Sequence, residues 1–241
     1  MTNKITRRAH TSSGHIIEDL AASLSRGEAP GKSVTTSDGT ARRKGGKATA
    51  IRILGAALEV LLDEKIEQFS LRAAADKAGV KLANVQYYYG NRDELLNALF
   101  AVLGDAYKHA YLEAMEDTPS SPTERLTEAL RIQIADARHH TTRKLFVRLW
   151  SLLEQMSGFN GEGLRKLYQF DLSVLQELIR AADETTTAHE AGIRATIVAA
   201  MIEGSLVVAP TGKRQEAEFS AAMLKTCLQV TLPDLAITPA R

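Results

Sequence analysis

Residues 70 to 95 read SLRAAADKAGVKLANVQYYYGNRDEL. Ser70 can accept a hydrogen bond from the first turn of a helix in which Leu71, Ala74, Ala75 and Ala78 recur at helical spacing, and Gly79 stands where a left-handed stop is wanted. Val80 resumes the apolar pattern and Val85, Tyr88 and Tyr89 continue it. Asn91-Arg92-Asp93-Glu94 then offers an asparagine version of the capping box for a further helix. Two short helices therefore meet at a glycine turn. The second cannot stand alone, so it leans on neighbours and leaves one face free. That free face carries Lys81, Asn84 and Gln86. Asn and Gln can pair with both N6 and N7 of adenine in the major groove, while Lys, Arg and Tyr reach phosphates.

These residues resemble the helix-turn-helix of the TetR family of bacterial transcriptional regulators. The resemblance rests on Ala75, the Ala78-Gly79 turn, the aromatic pair Tyr87 and Tyr89, and Arg92 followed by Asp93-Glu94-Leu95. Lys65 departs from it where a glycine is usual, Lys81 where a capping serine is common, and Gln86 where many members carry tyrosine. The resemblance implies phosphate contacts from Tyr87 and Arg92. The expected DNA-binding set is Arg42, Arg43, Ser70, Arg72, Lys81, Leu82, Ala83, Asn84, Gln86, Tyr87 and Arg92, with Asn84 and Gln86 as base readers.

Composition sets the outer bounds. A chain of 241 residues with 44% apolar content can close a substantial core. No apolar run reads as membrane length and no secretion signal is legible, so a cytoplasmic protein is expected. The net charge of +1 hides a basic first 46 residues, with 8 Lys/Arg against 4 Asp/Glu. The single cysteine, Cys227, lies in an apolar periodic segment and reads first as a core residue.

Residues 1–46 read as a largely disordered basic extension in which only His15 to Leu24 could form a short helix. Its Ala41-Arg42-Arg43-Lys44-Gly45-Gly46-Lys47 end lacks the leading glycine and trailing Ser/Thr of a phosphate loop, so no nucleotide site is read there. The extension can lie on phosphates or enter the minor groove, or be a solvated linker. Residues 47–95 form the helix-turn-helix domain, opening with an amphipathic helix from Lys47 to Glu64. Residues 96–241 form a larger domain for effector binding and dimerisation.

Within that second part the helix from Arg92 is expected to run past Gly104 toward Met115. Ser121-Pro122-Thr123-Glu124 is a capping box with proline at the first helical position. Helices follow at Thr141 to Gln155, Leu164 to Ala182, Ala188 to Val208 and Gln215 to Leu232. No period-two pattern appears. The spacing of Asp105, His109 and Glu113 reads as surface pairing, and no metal or cofactor is expected. The histidines His139, His140 and His189 show no partner spacing.

The chain is therefore expected to be all-α, a three-helix DNA-binding head followed by a helical ligand-binding and dimerisation domain. The expected function is a homodimeric repressor that binds a palindromic operator in double-stranded DNA and is released by a small-molecule effector, without membrane association. A regulator of the same fold without an effector is the alternative. A helical enzyme is remote, because no acid, base or nucleophile constellation stands out. Phe146, Trp150, Leu153, Met156, Tyr168, Leu172 and Met201 are the effector-pocket candidates. Ile197, Met201, Gly204, Val208, Phe219, Met223 and Cys227 are the candidates for the dimer interface, which the resemblance places on the last two helices.

Overall fold

A computed structural model describes residues 15–30, 44–63, 69–116, 121–155, 162–210 and 212–233. Among them are ten helices and no strand: α1 Ile16–Ser25, α2 Lys44–Asp63, α3 Leu71–Ala78, α4 Leu82–Tyr88, α5 Arg92–Glu116, α6 Pro122–Arg138, α7 His140–Glu154, α8 Glu162–Ala182, α9 Ala188–Val208 and α10 Lys213–Thr231.

The head forms for the reasons legible in its residues. Ser70 Oγ accepts the Ala73 N–H at 3.1 Å and starts α3. Gly79 ends it at φ 64°, ψ 34°, with Gly79 N–H bonded to Asp76 and Val80 N–H to Ala75. This pair of bonds is a Schellman stop, which needs a left-handed residue that only glycine adopts at no steric cost. The α4 helix starts at Lys81 with no side-chain cap. It is held instead by Val85 and Tyr89, which are buried, and by the Tyr89 hydroxyl donating to the Ala50 carbonyl of α2 at 3.0 Å. At the next start Asn91 Oδ1 accepts the Glu94 N–H at 2.9 Å. The Glu94 carboxylate reaches back to the Gly90 N–H at 3.2 Å.

The one short helix expected in the first 46 residues, at His15 to Leu24, is present as α1. Within the described part, α1 is a packed helix, because Ile17, Leu20 and Leu24 repeat at helical spacing and are buried. It rests on α2, α5 and α7. The crossing with α2 is close enough that a Cβ at Gly55 would sit 3.1 Å from Leu24 Cβ. The head helix α2 also begins at Lys44, before the expected boundary. Arg42 and Arg43 lie outside the described residues.

The long helix α5 leaves the head and enters the second domain without interruption at Gly104. Its 25 residues span about 37 Å at 1.5 Å per residue. It packs against α1 and α2 near the head and against α6 and α8 farther on. Ser121 and Glu124 form the expected reciprocal capping box at α6. Thr187 and Glu190 form another at α9.

The α9 helix corrects one expectation, since by length and composition it is apolar enough to cross a membrane. Its position is that of a packed helix, with Ala191, Ala195, Val198, Ile202 and Leu206 buried. It lies among α6, α7, α8 and α10. Two arginines close its C-terminal end: Arg143 donates to the Leu206 carbonyl at 2.8 Å and Arg138 to the Pro210 carbonyl at 3.1 Å. Such bonds satisfy carbonyls that the helix itself leaves open.

The α1–α2 crossing gives a paired prediction. Gly55→Val forces branched methyls into Leu24 and should lower stability by about 1–3 kcal/mol. Gly104→Ala, where nothing lies within 4 Å of an added Cβ, should raise it by roughly 0.5–1 kcal/mol. Urea unfolding midpoints of the two variants check both signs.

Candidate DNA interface and ligand cavity

The structure leaves most of the expected DNA-contacting residues exposed. Arg72, Lys81, Leu82, Ala83, Asn84, Gln86 and Tyr87 are all exposed, and the apolar Tyr87 ring is 58% accessible. The neighbouring Tyr89 is 1% accessible. The two tyrosines of the motif therefore do opposite work, one offered to solvent and one anchoring α4 to α2. Burial raises the Tyr89 hydroxyl well above the ordinary tyrosine range. Ser70 spends its side chain on the α3 cap.

Arg92 is half-buried and is engaged within the chain. Its guanidinium donates to Gln155 Oε1 at 3.2 Å and lies 5.9 Å from the Phe69 ring centroid. Its Nε is buried without a hydrogen-bond partner. In this arrangement Arg92 ties the start of α5 to the end of α7, because Phe69 and Gln155 offer it a flat face and an acceptor. A second tie between head and body is Arg148 of α7, which donates to the Leu61 carbonyl of α2.

The second domain contains a cavity of about 40 Å³, room for about three water molecules. Its wall is formed by α5 (Tyr107, Tyr111), α6 (Gln133, Asp136, Ala137), α7 (Thr142, Phe146), α8 (Tyr168, Asp171) and α9 (Ile202, Glu203, Leu206). Of the expected pocket residues, Phe146 and Tyr168 line it. Trp150 stands behind, its indole N–H donating to the Tyr168 hydroxyl at 3.3 Å. Leu153 is sealed in the core, Leu172 and Met201 pack against the core away from the wall, and Met156 lies outside the described residues.

What the apolar pattern missed is the polar lining. Tyr107 donates to Asp136 at 2.7 Å, Thr142 donates to the other carboxylate oxygen at 3.1 Å, and Tyr168 donates to Glu203 at 2.9 Å. The Gln133 amide nitrogen is buried with no acceptor. Burial pushes the Asp136 carboxyl up to about 6 against the hydroxyl donors that favour its charge. Burial, with Glu203 and Asp136 nearby, pushes Asp171 up to about 7. Burial likewise pushes Glu203 up to about 7. A signal existed: Gln133 falls on the same helical stripe as Leu126, Ala129, Leu130 and Ala137, and a polar residue on a core stripe marks an interior polar site.

The expected dimer residues divide. On α9, Ile197 is 46% and Val208 77% accessible, Gly204 is exposed and Met201 is half-buried. Ile193 and Val207 extend the same open apolar surface. On α10, Phe219 lies beneath Arg138 and Met223 packs inward, both half-buried. Cys227 is fully buried within one chain and so offers no surface to a second. Burial raises its thiol to about 11.

A further cluster lies at the α1 start. His15 Nδ1 is 3.0 Å from His139 Nε2 and 3.3 Å from Glu18, and His139 Nε2 is 3.7 Å from Glu18. These are ligand types suited to a divalent metal. The fold thus supplies His139 with the partners that its sequence neighbourhood lacks. The Thr141 hydroxyl bonds Glu18 and, with the nearby imidazoles, holds its carboxyl below the usual range. Elsewhere His109 pairs with Glu113 at 3.3 Å in the solvent.

The raised carboxyls fix the sign of a pH effect. A group whose folded pKa exceeds its unfolded value stabilises the protein below the unfolded value and loses that contribution as pH rises through the folded one. For Asp136, Asp171 and Glu203 the window runs from ordinary values of 3.8 to 4.5 up to about 6 to 7. The melting temperature should therefore fall between about pH 4 and pH 7, and Glu203→Gln should flatten the fall.

No protein-family model matches the chain, and no curated protein matches it in sequence. Solved structures do match in fold. A TetR-family regulator from Streptomyces coelicolor is 13% identical, with 76% of this chain and 88% of that one covered at a TM-score of 0.59. The FadR regulator of Bacillus subtilis, solved with stearoyl-CoA, is 14% identical over 75% and 98% of the two chains, TM-score 0.61. A Saccharomonospora viridis protein described as a transcriptional regulator, solved with choline, is 15% identical over 74% and 94%, TM-score 0.59. The chain accordingly has the all-helical fold of TetR-type transcriptional regulators, a small head that carries a helix-turn-helix joined to a larger helical domain.

Proposed function

We propose that the protein is a cytoplasmic, homodimeric transcriptional regulator, a repressor that binds a palindromic operator and is released when a small molecule occupies the cavity. The observation that carries this reading is the course of α5. Its first turn completes the DNA-reading head, and about 23 Å farther along the same helix presents Tyr107 to the cavity wall. A ligand that moves Tyr107 against Asp136 leans on the rod that bears the head. The neighbours solved with stearoyl-CoA and choline support a ligand within this fold.

Asn84 and Gln86 are the base readers, with Arg72, Lys81 and Tyr87 on the flanking phosphates and Arg42 and Arg43 extending the basic contact. Seven residues of α4 read only a few base pairs, so operator-grade affinity needs two heads about 34–36 Å apart. The open apolar face of α9 around Ile197, Gly204 and Val208 is the surface that sets this spacing.

Two measurements test the proposal. In a selected-site experiment, Gln86→Ala should relax preference at one position of each half-site by ~1–3 kcal/mol, and an unchanged base preference would remove Gln86 as a reader. Gly204→Trp should yield a folded monomer by sedimentation, because nothing lies within 4 Å of an added Cβ. That monomer should lose specific binding. If it holds the operator as tightly as the wild type, the two-headed mechanism is wrong.

A further inference from the structure

The cavity wall has an unusual charge balance. Among the described residues it presents three carboxylates, Asp136, Asp171 and Glu203, and no lysine, arginine or histidine. Interior charges are ordinarily paired, since an unpaired one forfeits its hydration without compensation. Here the protein supplies neutral hydroxyl donors to two of the three, from Tyr107 and Thr142 to Asp136 and from Tyr168 to Glu203. For Asp171 the acting influences are burial, Glu203 and Asp136, all of which oppose its charge. The wall thus carries three acids that no cationic group among its described residues neutralises.

Two independent features say what would neutralise them. Three tyrosines, Tyr107, Tyr111 and Tyr168, stand around the carboxylates with Phe146, and aromatic faces attract organic cations in desolvated sites. The Gln133 side chain, 9% accessible, belongs to the wall, and its amide nitrogen has no acceptor. A buried amide donor without a partner is rare enough in native proteins to need one.

We propose that the cavity takes an organic cation, an ammonium or quaternary ammonium group held by Asp171 and Glu203 among the tyrosines, with an oxygen acceptor on the same molecule received by Gln133. This rests on the reading of the cavity as the effector site and gives that effector its chemical class. A fatty acid or a phosphate ester would bring its anionic group against three carboxyls of like charge. A wholly apolar ligand would leave the carboxyls and the Gln133 amide unpaired. The cation also explains why the wall carries acids at all, because a helical core closes more stably with apolar residues at these positions.

The test uses the full chain and three probes of similar or simple shape: choline, its neutral isostere 3,3-dimethylbutan-1-ol, and octanoate. Choline should raise the melting temperature by mass action and release operator DNA, while the two controls do neither. Asp171→Asn and Glu203→Gln should each weaken choline binding, read by calorimetry, by about tenfold or more. Without any probe Asp171→Asn should melt higher than wild type, because it removes an uncompensated charge. A choline response no larger than that of either control, including none, overturns the cation assignment. So does an Asp171→Asn protein less stable than wild type, since the fold must then already supply a partner. Stabilisation by octanoate or the alcohol would overturn the cation class and leave the effector cavity standing. The operator measurements need no probe and judge the regulator reading separately.

Discussion

One buried carboxylate ties together three of the helices that wall the cavity. Asp136 on α6 accepts the Tyr107 hydroxyl of α5 and the Thr142 hydroxyl of α7. Three helices therefore meet on one side chain that is 3% accessible. In a low-dielectric interior each donor strengthens the other's hold, and neither can leave without exposing a charge. The same residue forms part of the cavity wall, so the junction of these three helices also faces the cavity.

The consequence is mechanical. The head is tied to the body through α5, through Arg148 to the end of α2, and through Arg92 to Gln155. Both arginine ties reach α7, whose first turn supplies Thr142 to the Asp136 node. The cavity and the head are thus linked by helices and a few polar bonds, the physical form a two-state coupling requires.

The last helices show how one element serves two surfaces. The inner side of α9 buries Val198, Ile202 and Leu206 and turns Glu203 to the cavity, while its outer side leaves Ile193, Ile197 and Val208 open. Its high apolar content follows from being covered on two sides, one within the chain and one expected from a second copy. The arginines bonded at its C-terminal end and just beyond it come from α7 and α6, so the open apolar face of α9 and the Asp136 node share the same supports.

The sequence by itself determined what local chemistry controls. The Schellman stop at Gly79, the caps at Ser70, Asn91 and Ser121, and the free polar face of α4 follow from residues within a few positions of one another. Helical periodicity placed α5 through α10 for the same reason. Only the tertiary structure decided the rest. His15 and Glu18 reach His139 across 124 and 121 positions of chain, and Arg92 bonds to Gln155, 63 positions away. The cavity draws side chains from five helices, and apolar patterning directs attention to the residues that close a core, such as Leu153, and away from the acids that line a hole within it. Periodicity records which side of a helix is covered; what covers it, and whether a buried acid there meets a hydroxyl, a cation or another acid, depends on contacts between elements that sequence spacing does not encode.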